Sequence, residues 1–194
     1  MNPWFGAIPF LVALAASIAM RAPHIERGKT VKVVQSHKGK LERVLFALVG
    51  IGGLLLPLLY LATPWLAFAD YPLRPWALAC GLALIAVWLW LFHRSHADLG
   101  TNWSVSLELR ERHSLITSGV YSRLRHPMYA AIFCHAIAQA LLLANWIAGP
   151  AMLVAFTLMF ALRLSREERM LRQHFGAAYE DYAKRTKRLV PGIW

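Results

Sequence analysis

Residues 125–168 read RHPMYAAIFCHAIAQALLLANWIAGPAMLVAFTLMFALRLSREE. From Pro127 to Leu162 no Asp, Glu, Lys or Arg interrupts 36 residues, and that block lies between Arg125-His126 on one side and Arg163 with Glu167-Glu168 on the other. A bilayer core about 30 Å thick takes roughly 20 helical residues, so 36 is too long for one crossing and suits two short ones. Asn145 and Gly149-Pro150 supply the break, since Pro cannot continue a helix and Gly tolerates a turn. The block is therefore expected to be a helical hairpin with its turn near residues 145–150. Polar groups then sit together at both open ends, where water meets lipid.

The rest of the chain reads in the same terms. Phe5–Met20, Val44–Ala69 and Trp76–Phe92 are also free of charged residues, the first and third being short for a crossing but admissible. Apolar residues make up 58% of the 194, charged residues only 16%, and mean hydropathy is +0.44; a soluble domain would scatter its charges over every surface helix. The expectation is an all-α integral membrane protein of five transmembrane helices, in which helices 4 and 5 form the tight hairpin. No linker or repeat divides the chain, so residues 1–194 are read as one domain: 1–92 with three membrane helices and the basic loop 21–43, then 93–194 with the hairpin, a ligand-binding region and a C-terminal helix.

A net charge of +11 raises the question of nucleic acid, but the basic residues follow membrane topology instead. Seven fall in 21–43, five in 93–126 and eight from Arg163 onward, leaving Arg74 alone on the opposite side. By the positive-inside bias the N-terminus is outside and the basic segments face the cytoplasm. The loop 21–43 is read as a topology determinant that also attracts anionic lipid headgroups; no nucleic-acid partner is expected. A cleaved signal peptide would begin with a positively charged region, and no Lys or Arg precedes Arg21, so the first helix is read as retained. Cys80 and Cys134 lie inside apolar blocks and are read as small core residues, and no metal site is expected.

In the second block Gly50, Gly52 and Gly53 allow close helix approach, while Pro57 and Pro64 imply a kink. Chemistry is expected from 98–129 and from Arg163 onward. Asp98–Ser104 is a polar turn, and Pro127 suits the first turn of a helix, where its missing N–H would be unpaired anyway. The residues just before it are expected to offer side chains and free backbone amides at a helix N-terminus, a good place for a carboxylate. Arg163 and Glu167, four apart, share one helical face. An arginine at the bilayer edge is costly without a partner or a ligand, which favours function over a simple ion pair.

The ordered set His113-Ser114-Leu115-Ile116, Gly119-Val120-Tyr121, Arg125 to Tyr129, the apolar hairpin, Arg163, Glu167-Glu168, Phe175-Gly176, Tyr179 and Tyr182 resembles the isoprenylcysteine carboxyl methyltransferase family, within a wider group of membrane phospholipid and isoprenylcysteine methyltransferases. The resemblance covers about 98–191 and looks like a prokaryotic member. It implies a cytoplasmic pocket for S-adenosylmethionine at His113, Ser114, Leu115, Ile116, Tyr121, His126, Pro127, Met128, Tyr129 and Glu167, with Glu167 toward the ammonium group and the backbone around His126 toward the carboxylate. It implies that Arg163 engages the acceptor's carboxylate as the catalytic residue, and that an isoprenyl or other lipid-like tail enters sideways between helices. Ser165 and Arg166 stand where eukaryotic members carry a longer acidic run, so the acceptor stays open. Phospholipid amine or small-thiol methylation in the same superfamily, an NADPH-dependent sterol-type reductase and a non-enzymatic membrane adaptor are the alternatives; the chain has no phosphate-cradling Gly-rich loop.

Overall fold

The computed structural model describes residues 1–29, 33–36, 39–103, 108–110 and 114–193. Each apolar block forms helix, because within lipid only internal hydrogen bonding satisfies the backbone. The order is α1 (Trp4–Lys29), β1 (Val33–Ser36), α2 (Lys40–Gly50), a π-helical turn at Ile51–Leu55, α3 (Leu56–Ala62), α4 (Pro75–Leu99), β2 (Glu108–Arg110), α5 (Pro127–Leu142), α6 (Ala151–Phe175) and α7 (Ala177–Arg185). β1 and β2 pair antiparallel, a two-stranded addition to an otherwise helical fold.

Among the described residues three helical stretches are long and apolar enough to cross a membrane: Trp4–Glu26, Lys40–Ala62 and Pro75–Leu99. Their outer faces, with Val12, Leu55 and Trp90 well exposed, are apolar, an arrangement that water would penalise and lipid does not. The hairpin forms as expected, α5 and α6 joined through residues 143–150. Its arms are short: 16 residues in α5 rise about 24 Å, and the uncharged part of α6 is shorter still.

α5 is the central helix, packed against α1, α4 and α6. Trp88 of α4 stacks flat on His135 of α5, ring centroids 3.9 Å apart, and Phe10 of α1 covers the same imidazole at 5.7 Å. Gly52 explains the close approach of the π turn to the hairpin: a Cβ there would lie 2.8 Å from the Ala151 carbonyl oxygen. A π-helical turn at Ile51–Leu55 precedes both Pro57 and Pro64, and the Gly52 carbonyl accepts a 2.8 Å hydrogen bond from Gln139.

The hairpin turn is pinned by Asn145. Its Nδ2 donates to the Leu66 carbonyl and to Asp70 Oδ1, both at 2.7 Å, while its Oδ1 accepts from the amides of Ile147 and Ala148. Trp146 and Tyr71 amides bond the Ala69 and Ala144 carbonyls. The α3–α4 connector and the hairpin turn therefore share one end of the bundle. Trp65, Phe68, Trp76 and Trp146 are exposed around it, as an interfacial aromatic belt is. Arg21, Arg125 and Arg163 come together at the other end.

Candidate active site

At the basic end the chain reaches α5 through a tight turn. Gly119 has φ +59°, and a Cβ there would fall 2.1 Å from Asp98 Oδ2, so only glycine fits. That oxygen accepts the Val120 amide at 2.8 Å, and Asp98 also pairs with Arg94 at 3.0 Å. Tyr121 is buried beneath the turn, and Tyr182 of α7 donates its hydroxyl to the Tyr121 and Leu124 carbonyls at 2.7 and 3.2 Å. Burial pushes the Tyr182 phenol up to about 12, so it stays a donor at neutral pH.

The C-terminal segment then binds alongside. Lys187 donates to the Arg123 carbonyl, and the amides of Arg125 and His126 donate to the Lys187 and Arg188 carbonyls at 2.7 and 3.1 Å. This corrects the expectation of free backbone donors there: both amides are consumed by a strand-like pairing between segments more than sixty residues apart, which the sequence pattern does not reveal.

The acidic pair on α6 divides. Glu168, almost fully buried, is held by Arg188 through Nε and Nη2 at 3.1 and 3.0 Å, by Arg125 Nε at 3.3 Å and by Arg172 at 3.6 Å. Arg125 also donates to the Ala183 and Thr186 carbonyls at 2.7 and 2.5 Å. Glu168 thus ties α5, α6 and the C-terminal segment together. Glu167 instead faces the cavity, where its Oε2 accepts the Tyr129 hydroxyl.

His126 lies between the two acids, Nδ1 3.6 Å from Glu167 Oε1 and Nε2 3.4 Å from Glu168 Oε1. Burial alone would lower its pKa, but the two carboxylates outweigh burial and raise it. Burial likewise works to raise both acids, while His126, with Arg163 and Tyr129 for Glu167 and Arg188 for Glu168, carries both below the ordinary carboxylate value.

These groups border a cavity of about 190 Å³. Of the residues singled out from sequence, Ser114, Leu115, Ile116, Tyr121, His126, Met128, Tyr129, Arg163 and Glu167 all line it. Pro127 is buried at the first turn of α5 and holds the helix start rather than the cavity wall. His113 lies outside the described residues.

Several cavity residues were not anticipated, among them Asn102, Trp103, Arg21 and Phe46. Asn102 and Ser114 exchange two hydrogen bonds, Nδ2 to Oγ at 3.1 Å and amide to Oδ1 at 3.2 Å, closing one rim. Trp103 from the same polar turn, Arg21 from α1 and Phe46 from α2 complete the wall. Glu42 is 3.6 Å from Arg163, whose guanidinium also lies over the Phe46 ring at 5.1 Å. The available signal for Glu42 was that it is one of two acids, with Glu26, in a basic loop. For Arg21 it was a charge set directly at the end of an apolar run.

A second groove runs between α2 and α6, lined by Leu41, Leu45, Leu162 and Met170 together with Glu42, Arg166, Arg169 and Gln173. Arg163 borders both spaces.

A helical bundle with apolar outer faces and a cavity at the charged mouth of a hairpin defines the class: an integral membrane protein. Residues 77–173 match the isoprenylcysteine carboxyl methyltransferase family, half of the chain, and the protein belongs to that family. It is 32% identical over 120 residues to protein-S-isoprenylcysteine O-methyltransferase B of Arabidopsis thaliana, covering 61% of each chain. It is 33% identical over 120 residues to the Mus musculus protein-S-isoprenylcysteine O-methyltransferase, covering 61% of this chain but 42% of that one. A solved structure of the eukaryotic intramembrane Ras methyltransferase, an isoprenylcysteine carboxyl methyltransferase, aligns with 25% identity and TM-score 0.48 over 82% of this chain and 55% of that one. The chain thus spans under two thirds of the length of these relatives. Arg21, Glu42 and Phe46 lie before the matched stretch.

Proposed function

We propose that the protein is an S-adenosylmethionine-dependent membrane methyltransferase that esterifies the carboxylate of an isoprenylcysteine-like or other lipid-like acceptor. The observation that carries this reading is the position of Arg163, in the wall common to an aromatic-lined cavity and a groove between α2 and α6 whose lining mixes leucine and methionine with charged residues. A donor and a greasy acceptor held in those two spaces meet at a guanidinium. A guanidinium suits a carboxylate, which it can grip with two parallel hydrogen bonds, and repels an ammonium, which weighs against an amine acceptor.

The residues fit the donor. Glu167 supplies a carboxylate for its ammonium group, Leu115, Ile116 and Met128 supply apolar surface for its base, and the Asn102–Ser114 pair supplies polar atoms for sugar hydroxyls. When bound, S-adenosylmethionine supplies an activated methyl group on a sulfonium. The chain's residues then have little proton chemistry to perform, because a carboxylate with pKa near 4 is already ionised at neutral pH. Arg163 orients the acceptor, Glu42 tempers its pull on the attacking oxygen, and the buried walls exclude water. Alignment of this kind contributes roughly 7 to 11 kcal/mol to a bimolecular step.

The same reading takes the whole chain as one domain with five crossings, the N-terminus outside and the cavity facing the cytoplasm of a prokaryotic cell. What supports counting the short hairpin as two crossings is that its turn is bonded to the α3–α4 connector at the aromatic end. The test is transfer of a tritiated methyl group to N-acetyl-S-farnesylcysteine by the purified protein in liposomes. Base-labile label on that acid supports the proposal. Label confined to phosphatidylethanolamine or to a small thiol would move the acceptor class, and oxidation of NADPH with no methyl transfer would replace the reaction.

A further inference from the structure

Among the described residues three arginines line the cavity: Arg21, Arg125 and Arg163. Two have acidic partners on the protein, Arg125 in Glu168 and two carbonyls, Arg163 in Glu42. Arg21 differs. Its guanidinium lies between two aromatic faces, 5.4 Å from the Trp103 ring centroid and 5.8 Å from that of Phe92. Its Nε is buried with no hydrogen-bond partner among the described residues. His24 and His96 stack beside Trp103, with ring centroids 4.9 Å apart, and offer no negative charge.

Ring faces hold a guanidinium by its flat side and leave its edge, where the N–H donors point, unused. A charge at the end of a membrane helix in this setting is costly unless something anionic meets it. The amides of Arg125 and His126, the expected carboxylate site, are bonded to Lys187 and Arg188. Among the described residues the acidic group on the cavity wall is Glu167, which meets Tyr129 and His126 from the side of α5. The cavity therefore presents an anion for an ammonium group and, from a different helix, a cation whose donors lack a described acceptor.

We propose that Arg21 is the carboxylate anchor of the cavity: its guanidinium edge binds the carboxylate of the amino-acid end of the donor, while Glu167 binds the ammonium. The assignment rests on the methyltransferase reading and adds to it a positioning residue from α1, outside the stretch that matches the family. The Phe92 and Trp103 rings set the plane of the guanidinium, and the fork then fixes the direction of the carboxylate. One residue of α1 thereby couples the first membrane helix to the orientation of the reacting methyl group.

The test is calorimetric titration of detergent-purified wild type, Arg21→Gln and Arg21→Lys with S-adenosylhomocysteine and with its decarboxylated analogue. Arg21→Gln should weaken S-adenosylhomocysteine on the order of tenfold to a hundredfold, the range of a charge-assisted hydrogen bond, and leave the decarboxylated analogue unchanged. Arg21→Lys should recover part of the loss. An unchanged affinity for S-adenosylhomocysteine, or an equal loss for both ligands, overturns the proposal. The first outcome combined with a raised KM for N-acetyl-S-farnesylcysteine assigns the carboxylate to the acceptor instead. Binding of neither ligand by the wild type sinks the methyltransferase reading itself, before Arg21 is in question.

Discussion

Arg188 grips Glu168 with two nitrogens, 3.1 and 3.0 Å from the two carboxylate oxygens, although the residues are twenty apart and on different segments. The carboxylate is almost wholly buried and faces Arg125, Arg172 and His126 as well. This pair closes the C-terminal segment over the start of α5.

Removing one member of such a buried network leaves the others uncompensated, at a cost of about 3 to 5 kcal/mol. Glu168→Gln should therefore lower the melting temperature in detergent markedly. The Glu168→Gln, Arg188→Gln double variant should lose less than the two single losses combined, because the residues share one interaction. Simple additivity in the melts would show that the grip contributes nothing.

Glu167 should behave differently from its neighbour. Glu167→Gln removes the charge facing the cavity and should weaken S-adenosylhomocysteine by about tenfold or more, with a melting temperature much closer to wild type than that of Glu168→Gln. Calorimetry and melting curves on the same preparations decide it. Full retention of affinity would take Glu167 out of the site.

Arg163→Lys keeps the charge and loses the fork. The expected outcome is a fall in turnover on N-acetyl-S-farnesylcysteine of at least about tenfold, with S-adenosylhomocysteine affinity nearly unchanged. Steady-state kinetics set beside calorimetry check the split; equal losses in both would place Arg163 with the donor.

His126, Glu167 and Glu168 predict an optimum of stability on the acid side of neutrality. The raised pKa of His126 contributes stability that is fully present below the ordinary value of 6.5 and is lost as pH rises through the raised value. The lowered pKa values of the two acids contribute stability present above the ordinary 4.5 and lost as pH falls through the lowered values. Melting temperature should be highest between these limits. His126→Gln should flatten the alkaline limb, and an unaltered limb would exclude His126 as its source.

Gly119→Ala forces a Cβ onto Asp98 Oδ2 in a backbone conformation that alanine disfavours. A loss of about 1 to 3 kcal/mol is expected from the strain alone, and the Asp98 bond to the Val120 amide should break with it. Faster proteolysis at the 114–125 segment would report the opened turn. Unchanged protection there would mean that Asp98 simply moves aside.

The sequence alone determined the helical membrane character and the hairpin with its break, which follow from local rules: unbroken apolar length and Gly-Pro punctuation. The family resemblance implied that Ser114, Tyr121, His126, Tyr129, Arg163 and Glu167 belong together, and these residues line one cavity. Tertiary structure alone decided that Glu168 is a clamp while Glu167 faces the cavity, that the Arg125 and His126 amides are used up by the C-terminal segment, and that Arg21, Phe46 and Trp103 complete the wall. Each of these depends on contacts between residues far apart in the chain. Adjacent side chains on a helix point about 100° apart, so the neighbours they meet are set by the packing of other helices, which no local pattern encodes.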